Sequence, residues 1–575
     1  MKRILLFIFI SCLVLPAAAQ KKAPKWMEKQ RKAIVQIDTY GKDGNKLGST
    51  TGFFVSENGD VLGAYEVFKG AQKATVTDAE GKVFPVESII GWDELYDVIK
   101  LKVSVPKKVV FFEVASDPVA NGSTVYLLPY STAKNVVFSQ GTVTEVSKLK
   151  DPYSYYKLSI PLETGQLNSP LLTEEGAVFG LAQADATGKK DVSFGVSAAY
   201  ADHLSFTSTD FITTTQSSIG IKKAWPADRD QAMVALYLKG STEDAQTYLK
   251  TLTDFIATFP NDAEGYLRRA NHYAYRRAAL APTPLEQFKY LGLALDDVKT
   301  AAKMGEKKGD GYYYQAELIF GVAAADTTLN HPDWSVSVAL EMVQKAIKEE
   351  DLPAYRLLEG DIYFYQQQFD KAYEDYMIVN NSDAASATSY YSAAKARQNI
   401  PGFNIGDIIQ LLDKAIEKCG MPMSSDAGQY ILERIDWKLR LSQYKEAVED
   451  YDLYFTAVQG QVGANFYFYR EQAKFRDGDL EGALKDIGQA ILAAPDAPEY
   501  YAEEASILVR MQKYDQALES VQKALELAPD YAACLRLKGV CYIRLGKKAE
   551  ACEFLTKAKE LGDPVAPKLM QENCK

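Results

Sequence analysis

The sequence predicts a multidomain protein in which an all-β half precedes an all-α half. The chain has 575 residues, too many for one hydrophobic core when domains hold about 100–200 residues. From about Ala33 to Ala198, short alternating or β-branched runs are separated by turn residues. After Trp225 the apolar residues recur with helical spacing, and a repeat appears near the end. These observations fix the order of the two halves.

The β half is predicted from short strands at regular spacing. The alternating or β-branched runs are residues 33–37, 52–55, 73–76, 97–103 and 123–128. Turn-forming residues at 57–60 and 79–82 separate them. Many short strands without intervening helices predict a sandwich or a pair of barrels. The Ser/Thr-rich stretch that follows predicts a linker over residues 205–225.

The α half is predicted from a repeat of 34 residues. The residues that keep this spacing are Ala483, Ala517 and Ala551, then Ala490, Ala524 and Ala558, and also Pro495 and Pro529. Small residues at helix crossings and proline at the turn are the signature of tetratricopeptide repeats (TPRs). Each helix pair leaves an apolar face that the next pair covers, so the units stack as a solenoid. We expect about nine helix pairs over residues 226–575.

Composition excludes several functions. The formal net charge of −11 is a poor match for sequence-independent nucleic-acid binding. Only three histidines occur, His203, His272 and His331, which limits histidine catalysis and multi-histidine metal sites. We expect no cofactor and no bound metal.

The first nineteen residues predict a secretory signal peptide. Lys2 and Arg3 precede an apolar run over residues 4–15, and Ala17 to Ala19 supply a small-residue cleavage site. The run is short of the ~20 residues that span a bilayer, although a membrane anchor is the alternative interpretation. No later segment is apolar for long enough to cross a membrane. We expect cleavage after Ala19 and export to the periplasm, the cell envelope or the exterior.

Five cysteines remain after the leader, and all lie in the α half: Cys419, Cys534, Cys541, Cys552 and Cys574. They contain no C-x-x-C pair, which argues against zinc-knuckle and thioredoxin-like sites. In an oxidising compartment one or two disulfides would join the C-terminal helices, and Cys552–Cys574 is the first choice. The alternative is that these residues are small buried apolar side chains.

Five segments of the β half resemble the trypsin-like serine protease domain of the HtrA/DegP type. They are TGFFVSENGDVL (51–62), GAYEVFKG (63–70), DELYDVIKLK (93–102), GQLNSPLL with EGAVFGL (165–172 and 175–181), and SFGV with its following helix (193–204). The resemblance implies a trypsin-like double β-barrel over residues 25–204. The fold class is therefore a double β-barrel followed by a TPR solenoid.

The resemblance also implies that the catalytic triad is degenerate. Glu66 stands where relatives carry the histidine base, and Asp97 fills the position that orients it. Ungapped, Leu167 occupies the position of the nucleophilic serine. Leucine has no nucleophilic atom, and no histidine precedes Asp97. Two neighbouring carboxylates would also repel, so one must be protonated, turn outward or meet a cation.

Two alternatives stay open at this position. Ser169 would be the nucleophile if two residues before Pro170 were deleted relative to the family, although Gly165 and Pro170 match without a gap. Glu66 and Asp97 would suit a hard cation, since such ions bind carboxylate oxygens. The alternative to a bound cation is that Glu66 is exposed or protonated in a disused pocket.

These features predict an exported pseudoprotease that acts as an interaction or scaffold protein in the cell envelope. The concave face of the repeats is expected to bind partner proteins or peptides. The disused cleft, lined by Glu66, Asp97, Gly165, Leu167 and Ser169, would hold an extended peptide, or the β half is only a platform or dimerisation unit. The alternative function is an active HtrA-like serine endopeptidase in envelope protein quality control.

The tyrosines of the α half have two expected roles. Most are expected to pack between helices, and some to face the concave surface, where tyrosine suits protein interfaces. The examples are Tyr363, Tyr365, Tyr373, Tyr376, Tyr500 and Tyr501.

Overall fold

The computed structural model describes residues 23–150, 152–185, 187–211 and 219–574. The predicted signal peptide, residues 1–19, lies outside these ranges, as do residues 212–218 of the predicted linker. The chain divides into two compact units between Tyr290 and Leu291. Within the described ranges, no helix has the length and apolar character needed to cross a membrane.

The first unit opens with a short helix and a six-stranded barrel. The elements are α1 (Met27–Gln30), β1 (Ile34–Tyr40), β2 (Lys46–Phe54), β3 (Asp60–Gly63), β4 (Lys73–Asp78), β5 (Val83–Asp93) and β6 (Val98–Val103). Antiparallel pairing closes them in the order β1-β2-β3-β6-β5-β4. Alternate residues such as Val35, Ile37 and Val76 point inward and are fully buried, as the period of two requires.

A second six-stranded barrel follows. Its strands are β7 (Thr124–Leu127), β8 (Ser139–Lys150), β9 (Tyr153–Leu158), β10 (Pro170–Leu172), β11 (Val178–Ala184) and β12 (Ser193–Ser197). They close in the order β10-β11-β12-β9-β8-β7, again antiparallel throughout. Closing both sheets leaves no open edge in either barrel.

A buried apolar cluster joins the two barrels, in addition to the core inside each of them. Ile34, Phe53 and Val98 from the first barrel lie in the same buried cluster as Leu172 and Val196 from the second. All five side chains are buried. The predicted double β-barrel is confirmed.

The described parts of the predicted linker pack against the first barrel. Phe206, Ile219 and Ile221 are buried in its core cluster. The backbone N–H of Ile89 donates to the carbonyl of Lys222 at 2.8 Å. The apolar residues on both sides of the Ser/Thr-rich stretch account for this packing. The domain boundaries themselves stay a prediction.

Twenty helices follow within residues 219–574. They are α2 (Arg229–Thr242), α3 (Ala245–Thr258), α4 (Ala263–Tyr275), α5 (Arg277–Leu280), α6 (Pro284–Ala302), α7 (Asp310–Ala325), α8 (Val336–Glu349), α9 (Pro353–Tyr365), α10 (Phe369–Asn380), α11 (Ala387–Arg397), α12 (Ile405–Lys418), α13 (Ala427–Arg440), α14 (Tyr444–Ala457), α15 (Ala464–Asp477), α16 (Leu480–Ala493), α17 (Pro498–Arg510), α18 (Tyr514–Leu527), α19 (Ala532–Arg544), α20 (Lys548–Glu560) and α21 (Ala566–Asn573). Side-chain caps at Asp228, Asp244 and Asp262 satisfy free backbone N–H groups where α2, α3 and α4 begin.

From α7 to α20, each helix packs with its neighbour to form seven successive pairs in the part of the chain that the structure describes. The small residues that keep the 34-residue spacing lie at the crossings, and Ala483, Ala517 and Ala551 are fully buried. A Cβ atom on Gly539 would lie 2.7 Å from the Leu555 side chain, so this crossing excludes any larger residue. The predicted helical repeat region is confirmed.

A disulfide joins the last two helices of this array. Cys552 of α20 is bonded to Cys574, which directly follows α21. Cys534 and Cys541 are buried free thiols, and Cys419 is a half-buried one.

Candidate functional site

Glu66, at the predicted base position, begins a 3-10 turn that runs to Phe68 and contacts β2. The turn is anchored by the fully buried Phe68 and by Thr39, whose hydroxyl donates to the carbonyl of Val67 at 2.7 Å. The Glu66 side chain points outward and is 69% exposed. Its carboxylate lies 2.7 Å from Nζ of Lys69.

Lys69 connects two acidic side chains at this surface. Its ammonium also lies 3.1 Å from Glu94, which is itself well exposed. The hydrogen bond to Glu66, and to a smaller extent the one to Glu94, raises the pKa of Lys69 above its usual value. The Glu66 carboxylate is therefore held by a cation and is turned away from the barrel.

Asp97, at the predicted orienting position, lies in the turn between β5 and β6. Its φ of 52° is in the left-handed region, which aspartate tolerates better than most residues. Oδ1 of Asp97 accepts a hydrogen bond from the backbone N–H of Glu66 at 2.8 Å. Burial raises the pKa of Asp97, and this hydrogen bond opposes the shift. The carboxylate thus braces the backbone of the segment that carries the base in relatives.

Leu167, at the predicted nucleophile position, follows a 3-10 turn over Thr164–Gln166 and is half-buried. The next residue, Asn168, has a φ of 60°. Its side-chain amide donates to the hydroxyl of Thr50 on β2 at 3.1 Å. Its backbone N–H donates to the carbonyl of Ala182 at 2.7 Å. Both the Glu66 turn and this loop are therefore held against β2.

Ser169, the alternative nucleophile, is enclosed in the second barrel. The residue is 0% exposed, and its hydroxyl has no hydrogen-bond partner. Its carbonyl accepts from the N–H of Ala182 at 3.0 Å. A serine nucleophile needs an exposed oxygen and a neighbouring base. In this conformation Ser169 offers neither of them.

The three histidines lie elsewhere. His203 lies 2.7 Å from Nζ of Lys150, and its ring is near those of Tyr153 and Tyr200. His272 on α4 is buried, with Nε2 2.8 Å from the carbonyl of Ala245. His331 belongs to the loop before α8. Among the described residues, no group of three or more His, Cys, Asp or Glu side chains is arranged to hold a metal ion.

The structure brings Glu66 and Asp97 together and adds residues that the sequence analysis missed. Lys69 supplies the cation for Glu66, and Thr50 fixes the loop at Asn168. The spacing of three residues between Glu66 and Lys69 was the available signal, since it places two side chains on the same side of a helical turn. No comparable signal marked Thr50, which lies 118 residues from Asn168.

The tyrosines of the helical region differ in burial. Tyr376 and Tyr500 are buried, and their hydroxyls donate to Asp361 and Asn465. Tyr365, in contrast, is exposed. Packing between helices therefore accounts for Tyr376 and Tyr500, whereas Tyr365 is partly exposed and packs its ring edge-on against Phe320 of α7. The expected position of some tyrosines on the concave face stays a prediction.

Comparisons with known proteins agree with this division of the chain. A family model described as a trypsin-like peptidase domain matches residues 50–181. One described as a tetratricopeptide repeat matches residues 508–564. A comparison with curated proteins finds no match. Among solved structures, the active form of the Rv3671c protease from M. tuberculosis is 22% identical. That match covers 35% of this chain and 92% of that one, with a TM-score of 0.27. The two family models show that the chain carries a trypsin-like peptidase domain and tetratricopeptide repeats.

Proposed function

We propose that this protein is an exported, catalytically inactive relative of trypsin-like peptidases that binds other proteins in the cell envelope. The main support for a loss of activity is the environment of the Glu66 side chain. This residue stands at the base position, and its exposed carboxylate is paired with Lys69. A carboxylate held by a cation in this way is a poor acceptor for a serine proton.

The nucleophile position supports the same proposal. Leu167 offers only hydrocarbon there, and the neighbouring hydroxyl of Ser169 is fully enclosed. The Asp97 carboxylate accepts a backbone N–H from Glu66, and the residue at that base position has no imidazole for the carboxylate to orient. Proteolysis needs all three roles filled, because the groups of a triad act as a unit.

The repeats support a binding function. Stacked helix pairs form an extended surface that suits peptide and protein partners. Export is supported by the leader-like residues 1–19 and by the disulfide between Cys552 and Cys574, since such bonds persist in oxidising compartments. The disused cleft would add a second peptide-binding surface.

A casein assay tests the loss of activity. Purified wild-type protein and the Ser169→Ala variant are compared on fluorescently quenched casein, with an HtrA-type protease as the positive control. We expect both proteins to match the buffer blank. Hydrolysis by the wild type that Ser169→Ala abolishes would replace the proposal with an active endopeptidase.

Cross-linking and pull-down from intact cells test the binding function. A tagged full-length chain is compared with a tagged chain that ends at residue 225 and therefore lacks the repeats. We expect a defined partner that depends on the repeats. Recovery of the same proteins by both baits would count against the repeats as the binding module.

A further inference from the structure

Two neighbouring helix pairs carry the same internal ion-pair network. On α13 and α14, Arg434 makes two hydrogen bonds to Asp450, at 2.9 and 2.6 Å, and Lys438 adds a third contact at 2.8 Å. Both the arginine and the aspartate are largely buried. The arginine also reaches back to the preceding pair, where Asp413 of α12 lies at 2.6 Å.

The pair α15 and α16 repeats this network 36 residues later. Arg470 makes two hydrogen bonds to Asp486, at 2.7 and 2.6 Å, and Lys474 lies 2.8 Å from the same carboxylate. Arg470 also reaches back to the preceding pair, where Asp452 of α14 lies 2.7 Å away. In both pairs the arginine and the aspartate are 16 residues apart.

The next pair, α17 and α18, reverses the charge at these positions. Glu504 follows Arg470 by 34 residues, Ser520 follows Asp486 by 34, and Leu508 follows Lys474 by 34. The hydroxyl of Ser520 donates to Glu504 at 2.7 Å, again with a separation of 16 residues. The fold is retained, but the two cations of the preceding pair are lost.

Other pairs keep a cation where this one has none. On α9 and α10, Glu359 occupies the position of Glu504, and Arg356 bridges it to Asp375 at 3.1 and 3.3 Å. On α19 and α20, Lys538 lies over the ring of Phe554. Three residues before Glu504 stands Tyr501, which is neutral. In the part of the chain that the structure describes, no ion pair involves Glu504; the nearby Lys523 pairs with Glu526.

A cavity of about 790 Å³, open to solvent, lies at this position. Its lining includes the carboxylates of Glu504 and Glu519, the apolar side chains of Leu484 and Leu508, the ring of Tyr501, and the ammonium of Lys523, which is paired with Glu526. Leucine and serine are shorter than the lysine and aspartate that fill the preceding pair, which explains the open space. The half-buried carboxylate of Glu504 remains there as an acceptor for a cation.

We propose that this cavity is a socket for the guanidinium of an arginine side chain on a partner protein. The carboxylate of Glu504 would accept its N–H groups, as Asp450 and Asp486 accept those of Arg434 and Arg470. A planar guanidinium forms two parallel hydrogen bonds to a carboxylate and stacks on aromatic rings such as that of Tyr501, so it fits better than an ammonium. The leucine side chains of the lining would contact the methylene groups of the arginine.

Methyl NMR with short peptides tests the socket. The probe is an acetylated, amidated peptide Ala-Ala-Arg-Ala-Ala, and its control replaces arginine with citrulline, which is neutral and nearly isosteric. Shifts of the Leu508 methyl groups in the full chain report binding. We expect saturable shifts with the arginine peptide and at least tenfold weaker binding of the citrulline peptide.

Two variants complete the test. Glu504→Gln should weaken arginine-peptide binding at least tenfold, whereas Glu481→Gln, at an exposed position of α16, should leave it unchanged. The double variant with Glu504→Arg and Ser520→Asp rebuilds the network of the preceding pair. It should abolish peptide binding and raise the midpoint of thermal unfolding, which also shows that the array remains folded.

Three results would overturn the inference: no Leu508 shift at any peptide concentration, equal binding of both peptides, or unchanged binding by Glu504→Gln. The inference rests on the proposed function in one respect: it assumes that the arginine belongs to a partner protein. A pull-down that recovers a partner while this titration fails would therefore remove the socket and leave the proposed function standing.

Discussion

The Asp97 carboxylate accepts the backbone N–H of Glu66 at 2.8 Å, and this bond joins the turn before β6 to the turn after β3. The resemblance to trypsin-like peptidases assigns these two positions to the catalytic base and to the aspartate that orients it. Here the carboxylate holds the backbone of the turn, and the residue at the base position has no imidazole.

Replacing Asp97 tests this role. Asp97→Ala removes the acceptor and places alanine at a φ of 52°, so we expect the free energy of unfolding to fall by about 1–2 kcal/mol. Asp97→Asn keeps an acceptor and tolerates the same backbone, so its loss should be smaller. Urea unfolding of the two variants measures the difference. Equal losses would show that the side-chain oxygen contributes nothing.

Removing the enclosed hydroxyl of Ser169 should stabilise the protein. The side chain is fully buried without a partner, and alanine has nearly the same volume. We expect Ser169→Ala to raise the free energy of unfolding by up to about 1 kcal/mol. The matched control is Ser389, equally buried, whose hydroxyl donates to the carbonyl of Ser386 at 2.9 Å. Ser389→Ala should shift the urea midpoint in the opposite direction.

Glu471 makes the helical region sensitive to pH. The side chain is 1% exposed, and one carboxyl oxygen has no hydrogen-bond partner. Burial, followed by the charges of Glu503 and Asp486, raises its pKa from 4.5 to about 8. The unfolded chain therefore loses this proton at lower pH than the folded chain does. The free energy of unfolding should fall as pH rises from 4.5 to about 8, by up to about 1.4 kcal/mol per unit, and then level off.

The variant Glu471→Gln isolates this effect. Glutamine cannot ionise, so the variant should be more stable than the wild type at pH 8 and should show a flatter pH dependence. Burial also raises the pKa of Glu503, which leaves a residual slope of the same sign. Urea unfolding at pH 5 and pH 8 measures the change, with the exposed Glu481→Gln as the control. Parallel wild-type and Glu471→Gln curves would refute the assignment.

Alkylation tests the disulfide. In the denatured chain lacking residues 1–19, iodoacetamide should label three cysteines, Cys419, Cys534 and Cys541, before reduction. After reduction it should label five, because Cys552 and Cys574 are released. Mass spectrometry of the peptides counts the labels. Cys574→Ser should lower the unfolding free energy of the C-terminal helices by about 3 kcal/mol, and five labels without reduction would disprove the bond.

The fold was predictable because its signals are periodic. A two-residue period marked strands such as β1, and a 34-residue period placed Ala483, Ala517 and Ala551 at helix crossings. Packing around such crossings admits only small side chains, so the spacing reports the structure directly. These patterns predicted an all-β half and a tetratricopeptide region, whereas the trypsin-like double β-barrel was implied by the resemblance of five segments.

The arrangement of side chains was less predictable because it depends on orientation. The sequence placed Glu66 beside Asp97 but did not show that Glu66 turns outward to Lys69. Enclosure of Ser169 follows from the pairing of β10 with β11, which no short motif contains. The Ser/Thr-rich composition near residues 205–225 likewise obscured the apolar anchor residues on either side.

The disulfide between Cys552 and Cys574 also bears on local opening of the helical array. In a one-dimensional stack each helix contacts only its neighbours, so a single helix can detach locally. Here α21 is covalently fastened to α20. A detached α21 therefore stays beside its packing site and closes again within the same molecule. Proteolytic cleavage between Cys552 and Cys574 would consequently leave the two fragments joined until the bond is reduced.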